Sequence, residues 1–514
     1  MLQRDGACIS LWQDHTQSYQ IKNNNPGDRK FDVVIVGGGI TGVSTALLLQ
    51  IEGKKCALLE SNSLCFGTTG GTTAHLNTVL DTPYSAIKRN FGNENCSLVA
   101  NVAKEAIQLI KKNIDLYQIN CGFEETSAFL FSQNKNQSKE LEGIYRSCKE
   151  LNIPIKKAKQ IPVPLAFKNA LEIKKQAKFN PTHYVMALAK EFEKAGGIVM
   201  DNCRVSGSTT DVHSIETSQG VFTADYLIYA THIPPGLSVL NFRCAPYRSY
   251  AMAVRLRENY PSELIYDMYD PYHYYRTQKI GRKNYFIVGG EDHKTGHQED
   301  TQKCFINLEN HIRKYFDVQE ISHRWSSQYF ESVDGLPYIG QLPGKDENIL
   351  VATGFGGNGM IYSQVATMVF ASLILDGQDQ LIKLFDPGRH KPIAGFKNFV
   401  KENTDVLQDF LSKLVPAEKL QEYDDLQVDQ AKIVKTDDGT VAIYKDRSGN
   451  FHAINPTCTH MHCNVIWNAA EKSWDCPCHG ARYTIDGQVL TGPADMDLKV
   501  VRLQALEETT EKQA

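Results

Sequence analysis

Two short pairs of residues carry the strongest chemical signal in the chain. Cys458 and His460 form a Cys-x-His pair, and after 15 intervening residues Cys476 and His479 form a Cys-x-x-His pair. Two thiolates and two imidazoles can hold a structural zinc ion. They can also hold a binuclear iron–sulfur cluster, with both cysteines on one iron and both histidines on the other. Near the other end of the chain, Gly37, Gly39 and Gly42 stand at Gly-x-Gly-x-x-Gly positions. The first glycine permits a tight turn, the second lets backbone approach a pyrophosphate, and the third allows close helix–strand packing.

These residues act only if the right elements carry them. The run 31–36 is short, apolar and rich in Val and Ile, as expected of a parallel strand buried on both faces. After the glycines, VSTALLLQIEG reads as a helix stopped by Gly53, and Cys56 to Glu60 as a second strand. Glu60 lies 18 residues beyond Gly42, placed to accept hydrogen bonds from an adenosine ribose. Phosphates would face the helix N-terminus. Further on, Asn180-Pro181 caps a helix to Lys194 that is stopped by Gly196-Gly197, Tyr226 to Ala230 is a strand, and Ile349 to Ala352 is a strand leading into TGFGGNGM.

The segments VIVGGGITGVSTALLL, GTTGGTTAHL, QAKFNPTHYVMALA, IYATH, DGLPYIG and VATGFGGNGM together resemble the D-amino-acid and glycine oxidase-like superfamily of FAD oxidoreductases over residues 31–385. The resemblance implies FAD contacts at Gly37, Gly39, Ile40, Thr41, Gly42, Glu60 and Ser61, and at Thr68, Thr69, Thr72 and Thr73 on the flavin and pyrophosphate side. It implies further contacts at Val205, Ala230 and Thr231, and at Gly354, Gly356, Gly357, Asn358, Gly359 and Met360 in the last glycine turn. Apart from the last glycine turn at Gly354 to Gly359, no second Gly-x-Gly-x-x-Gly unit is present, which argues against a pyridine-nucleotide domain. Around the Cys/His pairs, CTHMHC, CPCHGARY and Gly492-Pro493-Ala494 resemble Rieske 2Fe-2S proteins over residues 426–506. By that resemblance Cys458, His460, Cys476 and His479 are the iron ligands, Cys463 and Cys478 a disulfide joining the cluster loops, and His462 not a ligand. Ala481 stands where high-potential members have a serine, while Tyr483 is retained.

The expected fold is therefore an α/β Rossmann-like FAD-binding fold with an interleaved α+β substrate domain, followed by a small all-β Rieske domain. The expected parts are an irregular polar arm (1–30), a flavoprotein (31–385) with inserted segments near 86–170 and 240–325, a helical linker (386–425), the Rieske domain (426–506) and a tail (507–514). The linker is read as an amphipathic bridging helix bearing Phe396, Phe399, Phe410 and Leu414. With 55 Lys and Arg against 59 Asp and Glu in 514 residues, the chain lacks the basic excess of a nucleic-acid binder. The longest apolar run, Met368 to Leu375, is too short for a transmembrane segment, and no secretory signal is evident, so a cytoplasmic protein is expected.

The chain as a whole resembles bacterial Rieske-containing FAD-dependent oxidoreductases. That resemblance implies oxidation of a small-molecule substrate, an amine or amino acid, and transfer of electrons one at a time through the cluster to an external acceptor. Candidate catalytic or substrate contacts are His273, Tyr274 and Arg276 in the tyrosine-rich segment, with Arg276 able to clamp a carboxylate. His75 and His232 are read as hydrogen-bonded histidines near the flavin. Two other readings are an electron-transfer or redox-sensing protein without such a substrate, and a Rieske oxygenase whose mononuclear iron would need His293 and His297 with Glu291, Asp292 or Glu299.

Overall fold

A computed structural model describes residues 4–207, 209–257, 261–377, 380–389, 426–436 and 439–502. The expected linker helix, apart from residues 386–389, and the tail lie outside the described residues. The strand Lys30–Val36 is central to the first sheet, and Val33, Val34 and Ile35 are wholly buried. It pairs in parallel with Cys56–Leu59 on one side and Gly220–Tyr229 on the other. Ile198–Met200 extends one edge in parallel; Ile349–Thr353, also parallel, and then antiparallel Tyr338–Gln341 extend the other. The helices Ile40–Ile51, Pro181–Lys194 and Gly359–Ala371 pack together, and Thr45 and Thr367 hydroxyls meet at 3.2 Å.

The two inserted segments merge into a second sheet. Among the described residues it runs Val318–Ser332, Cys244–Leu256, Lys283–Lys294, His273–Ile280, Leu264–Asp267, Glu124–Ser132, Asn169–Lys178 and His75–Leu76, with Ile155–Ala158 paired to Asn169–Lys178. All neighbours are antiparallel except Leu264–Asp267 with Glu124–Ser132. Beyond residue 426 the chain forms two small antiparallel sheets, Ala431–Thr436/Gly439–Lys445/Phe451–Ile454 and Ile466–Asn468/Ser473–Asp475/Arg482–Tyr483/Val489–Thr491. Trp474 and Tyr483 are fully buried at their centre.

Two sequence expectations require correction. The N-terminal arm is not irregular throughout: Leu11–Asp14 is a short helix capped by Ser10, with Leu11, Trp12 and Gln13 fully buried. The pattern hid it because one helical turn shows no periodicity. The apolar stretch near 368 belongs to a longer helical run, Gly356–Leu375, with mean hydropathy 1.3, long and apolar enough by composition to cross a membrane. The share of it buried inside the protein is 67%, so it serves as a core helix.

The arm joins the two halves of the molecule through buried charge. Arg482 bonds Asp475 at 3.1 Å and Asp5 at 3.0 Å, and Arg4 meets Glu471 at 3.2 Å. Glu471 also accepts from the Ser326 backbone N–H at 2.8 Å, and the Arg248 guanidinium lies 3.9 Å from Asp475. Three cations and three anions from the arm, the large sheet and the C-terminal sheet thus neutralise one another out of water. At its other end the arm holds the loop after the second strand: Trp12 donates to the Thr72 carbonyl and Gln13 to the carbonyls of Cys65 and Phe66.

Candidate functional site

A cleft opens at the C-terminal ends of the parallel strands. Its lining includes Gly37, Gly39, Ile40, Thr41, Glu60, Ser61, Thr68, Thr69, Val205, Ala230, Thr231, Gly356, Gly359 and Met360. The cradle is built for close backbone approach. A Cβ on Gly42 would lie 1.9 Å from the Gly37 carbonyl oxygen, and one on Gly37, at φ 114°, would lie 2.4 Å from that of Ala230. Glu60 accepts from the Gly38 N–H at 2.7 Å and the Asn62 N–H at 2.8 Å, so the acid closing the second strand also fixes the glycine turn. Burial raises its carboxyl against those hydrogen bonds.

Six expected contacts do not line the cleft. Gly42 packs the helix onto the turn. The Thr72 and Thr73 carbonyls accept from Trp12 and Arg276. Gly354 backs onto Cys244 and Ser332, and Gly357 and Asn358 bind Asp81. Conversely, Arg204, Phe330 and Phe355 line the cleft without having been singled out there, as do Leu490 to Gly492, Ala494 and Asp495 of the C-terminal module, and His232, read as near the flavin, lines it too. Only His232 and the Gly492-Pro493-Ala494 motif carried a sequence signal.

The Cys/His pairs converge on two tight loops. Cys458 N–H donates to the Cys463 carbonyl at 2.8 Å, and Cys476 N–H to that of Ala481 at 2.7 Å. Cys463 and Cys478 are joined by a disulfide between the loops. The His460 and His479 rings lie 5.0 Å apart, and all four of their ring nitrogens are buried without a hydrogen-bond partner. Buried imidazoles with no acceptor or donor fit a metal-ligand role. The hydrogen bond between the two thiols lowers Cys458 to about 7 and raises Cys476. Tyr483 Oη lies 3.1 Å from Cys458 Sγ, and His462 is exposed.

The C-terminal module docks with these loops facing inward. Phe242 lies edge-on to His479 at 5.2 Å, and Gly236 N–H donates to the Pro493 carbonyl at 2.8 Å. Gly480, at φ 75°, has no room for a side chain: a Cβ would lie 2.5 Å from Pro246 Cβ. Gln328 connects cleft and loop, since its carbonyl accepts from Thr68 Oγ1 at 3.1 Å and its side chain donates to the Gly480 carbonyl at 2.9 Å.

Two expectations of site chemistry fail. Arg276 is fully buried and its guanidinium donates to the carbonyls of Thr73, Ala74 and Phe179 at 2.7–3.2 Å, so it is spent on backbone and cannot clamp a substrate carboxylate. His293 bonds Tyr250 Oη at 3.0 Å and the Lys294 carbonyl at 2.9 Å, so both nitrogens are taken and the oxygenase iron site does not form. His273 is 4% exposed, bonded to Asp267 at 3.1 Å and stacked on His311 at 3.6 Å. His75 bonds Tyr266 Oη at 2.8 Å, and Tyr274 bonds Ser249 at 2.9 Å.

A dinucleotide cleft abutting a Cys/His double loop defines a flavoprotein oxidoreductase with an appended iron–sulfur module. The chain belongs to the FAD dependent oxidoreductase family, whose profile matches residues 32–373, and carries a Rieske [2Fe-2S] domain at residues 417–502. FAD and a 2Fe–2S cluster are its cofactors. It is 30% identical over 482 residues to the putative Rieske 2Fe-2S iron-sulfur protein YhfW of Bacillus subtilis, covering 93% of this chain and 94% of that protein. It is 24% identical to gamma-glutamylputrescine oxidoreductase of Escherichia coli, over 74% of this chain and 94% of that one. The fold is that of glycine oxidase from Geobacillus kaustophilus, with TM-score 0.58 and 18% identity, covering 70% of this chain and 99% of that structure.

Ala481 is fully buried beside the cluster loop, where a serine hydroxyl would add a donor. Ala481→Ser is expected to raise the cluster potential: a hydrogen bond favouring the reduced form by about 1 kcal/mol corresponds to about 40 mV for one electron. Redox titration followed by electron paramagnetic resonance measures it, and an unchanged or lower value would count against a sulfur-directed hydroxyl.

Proposed function

We infer that the chain oxidises a small organic amine or amino acid and passes the electrons singly, through its iron–sulfur module, to an external acceptor. The observation that carries this reading is the shared boundary, where Leu490 to Gly492, Ala494 and Asp495 of the C-terminal module form part of the wall of the FAD cleft. FAD supplies a two-electron acceptor for a hydride, and a 2Fe–2S cluster carries one electron at a time. The residues expected to hold FAD are the glycine turn Gly37–Gly39 with Ile40 and Thr41, Glu60 and Ser61, Thr68 and Thr69, Val205, Ala230 and Thr231, and the last turn at Gly356, Gly359 and Met360. Cys458, Cys476, His460 and His479 would hold the two irons. The inward-facing loops keep water away from both histidines, which are 9% and 2% exposed.

Gln328 supports the same reading as a positioning residue, because its backbone carbonyl holds Thr68 of the cleft while its side chain holds the residue after His479. Gln328→Leu, which removes the side-chain hydrogen bonds to the Gly480 carbonyl and from Thr295, is expected to slow substrate-driven reduction of the cluster roughly tenfold, while flavin bleaching stays within about twofold. Anaerobic stopped-flow at the flavin and cluster bands separates the two steps. The reading itself is tested by mixing the anaerobic holoprotein with a panel of amines and amino acids. Bleaching of the flavin followed by a reduced-cluster resonance supports it; silence across the panel favours an electron-transfer role without such a substrate.

A further inference from the structure

The large sheet and the segments facing it enclose a second group of polar residues. Tyr272 and Tyr329 both donate to Asp292 Oδ2, at 3.0 and 2.9 Å, while the buried Asp292 Oδ1 has no hydrogen-bond partner. Tyr272 and Tyr274 rings lie 5.8 Å apart, and Tyr329 stacks on Tyr247 at the same distance. Within reach of the Asp292 charge, Asp81 accepts from the Gly357 N–H at 2.7 Å, immediately beyond Phe355 and Gly356 of the FAD cleft. His75 packs edge-on to Tyr274 at 5.6 Å with its buried Nε2 unpartnered. Tyr272 keeps 39% of its surface exposed, and His75, Tyr274, Asp292 and Tyr329 are half-buried, as residues facing open space are.

The charge in this chamber is one-sided. The surrounding protein raises both carboxyls, and for Asp81, raised to about 6, the Asp292 charge contributes to the rise. No Lys or Arg bonds either carboxylate among the described residues, and His273, the nearby base, is already bonded to Asp267. Two carboxylates without a Lys or Arg partner, Asp292 half-buried with an unpartnered oxygen and Asp81 exposed, stand beside tyrosine rings and match an organic cation by charge and by cation–π attraction. They repel a carboxylate, and the arginine that could have received one is bound to backbone.

We propose that this chamber is the substrate site, and that it takes an alkylammonium ion with no carboxylate beside the reacting nitrogen, held by Asp292 and Asp81 between Tyr272, Tyr274 and Tyr329. This rests on the amine-oxidation reading and narrows it from amines and amino acids to amines.

Calorimetric titration of the oxidised holoprotein with 1,4-diaminobutane, benzylamine, glycine and benzoate tests the proposal. The two cations are expected to bind, and glycine and benzoate to bind far more weakly. Asp292→Asn, which keeps shape and loses charge, is expected to weaken cation binding roughly 10- to 100-fold at unchanged flavin content. Tyr272→Leu, at a partly exposed position, is expected to weaken it about fivefold through loss of the ring, and serves if the first variant does not fold. Equal or tighter binding of glycine or benzoate, no binding of either cation, or cation affinity unmoved by the substitutions overturns the proposal. Cation binding that depends on Asp292 but never bleaches the flavin leaves the site standing and removes the oxidation reading. Bleaching by amino acids alone does the reverse.

Discussion

Asp475→Ala is expected to destabilise the intact protein by roughly 3–5 kcal/mol and to loosen the iron–sulfur module from the flavoprotein. The carboxylate is 2% exposed and faces two guanidiniums, Arg482 at 3.1 Å and Arg248 at 3.9 Å. Its removal leaves three buried cations against two anions, and Arg248 already has Nε and Nη2 without hydrogen-bond partners. The loss therefore reflects stranded charge more than the worth of the pair. Thermal melting and limited proteolysis between the modules measure it, and a melting temperature within a degree of the parent would refute the argument. The pH dependence has a definite sign. Burial opposes the Asp475 charge, but Arg482 and Arg248 outweigh it and hold the carboxyl below its ordinary value. The stabilisation is accordingly complete above the unfolded-state value of about 3.9, and is lost as pH falls through the lower folded-state value.

Gly42→Ala is expected to yield protein that retains iron and has lost FAD. The added methyl would sit 1.9 Å from the Gly37 carbonyl oxygen, a backbone atom. Gly37 cannot retreat, because its own Cα lies against the Ala230 carbonyl at a positive φ that glycine tolerates best. Strand and helix must separate, at a cost of order 3 kcal/mol, which corresponds to roughly a hundredfold loss of cofactor affinity. The ratio of bound flavin to labile sulfide reads this directly. The four iron ligands lie more than 400 positions further along, in sheets of their own, so iron content should stay near that of the parent. A stoichiometric flavin content would show that the turn has slack the geometry denies it.

Much of the candidate site was legible because its signals are local. The glycine turn, the acid after the second strand and the paired Cys and His each depend on a few adjacent residues whose backbone geometry admits little substitution, and the spacing carries the chemistry. Arg276 was misread for the opposite reason. A guanidinium in a tyrosine-rich strand looks the same in sequence whether it meets a ligand or, as here, carbonyls from positions 73, 74 and 179.

The sequence by itself thus determined which cofactors the chain can hold and in what order its modules follow. Only the tertiary structure decided how those modules meet. Asp5 finds Arg482 across 477 positions, and Gly480 finds Gln328 across 152. No periodicity or motif encodes such pairings, because each partner is an ordinary polar residue until folding removes water from around both. That desolvation turns scattered charges into an interface and places the Rieske loops inward against the flavoprotein.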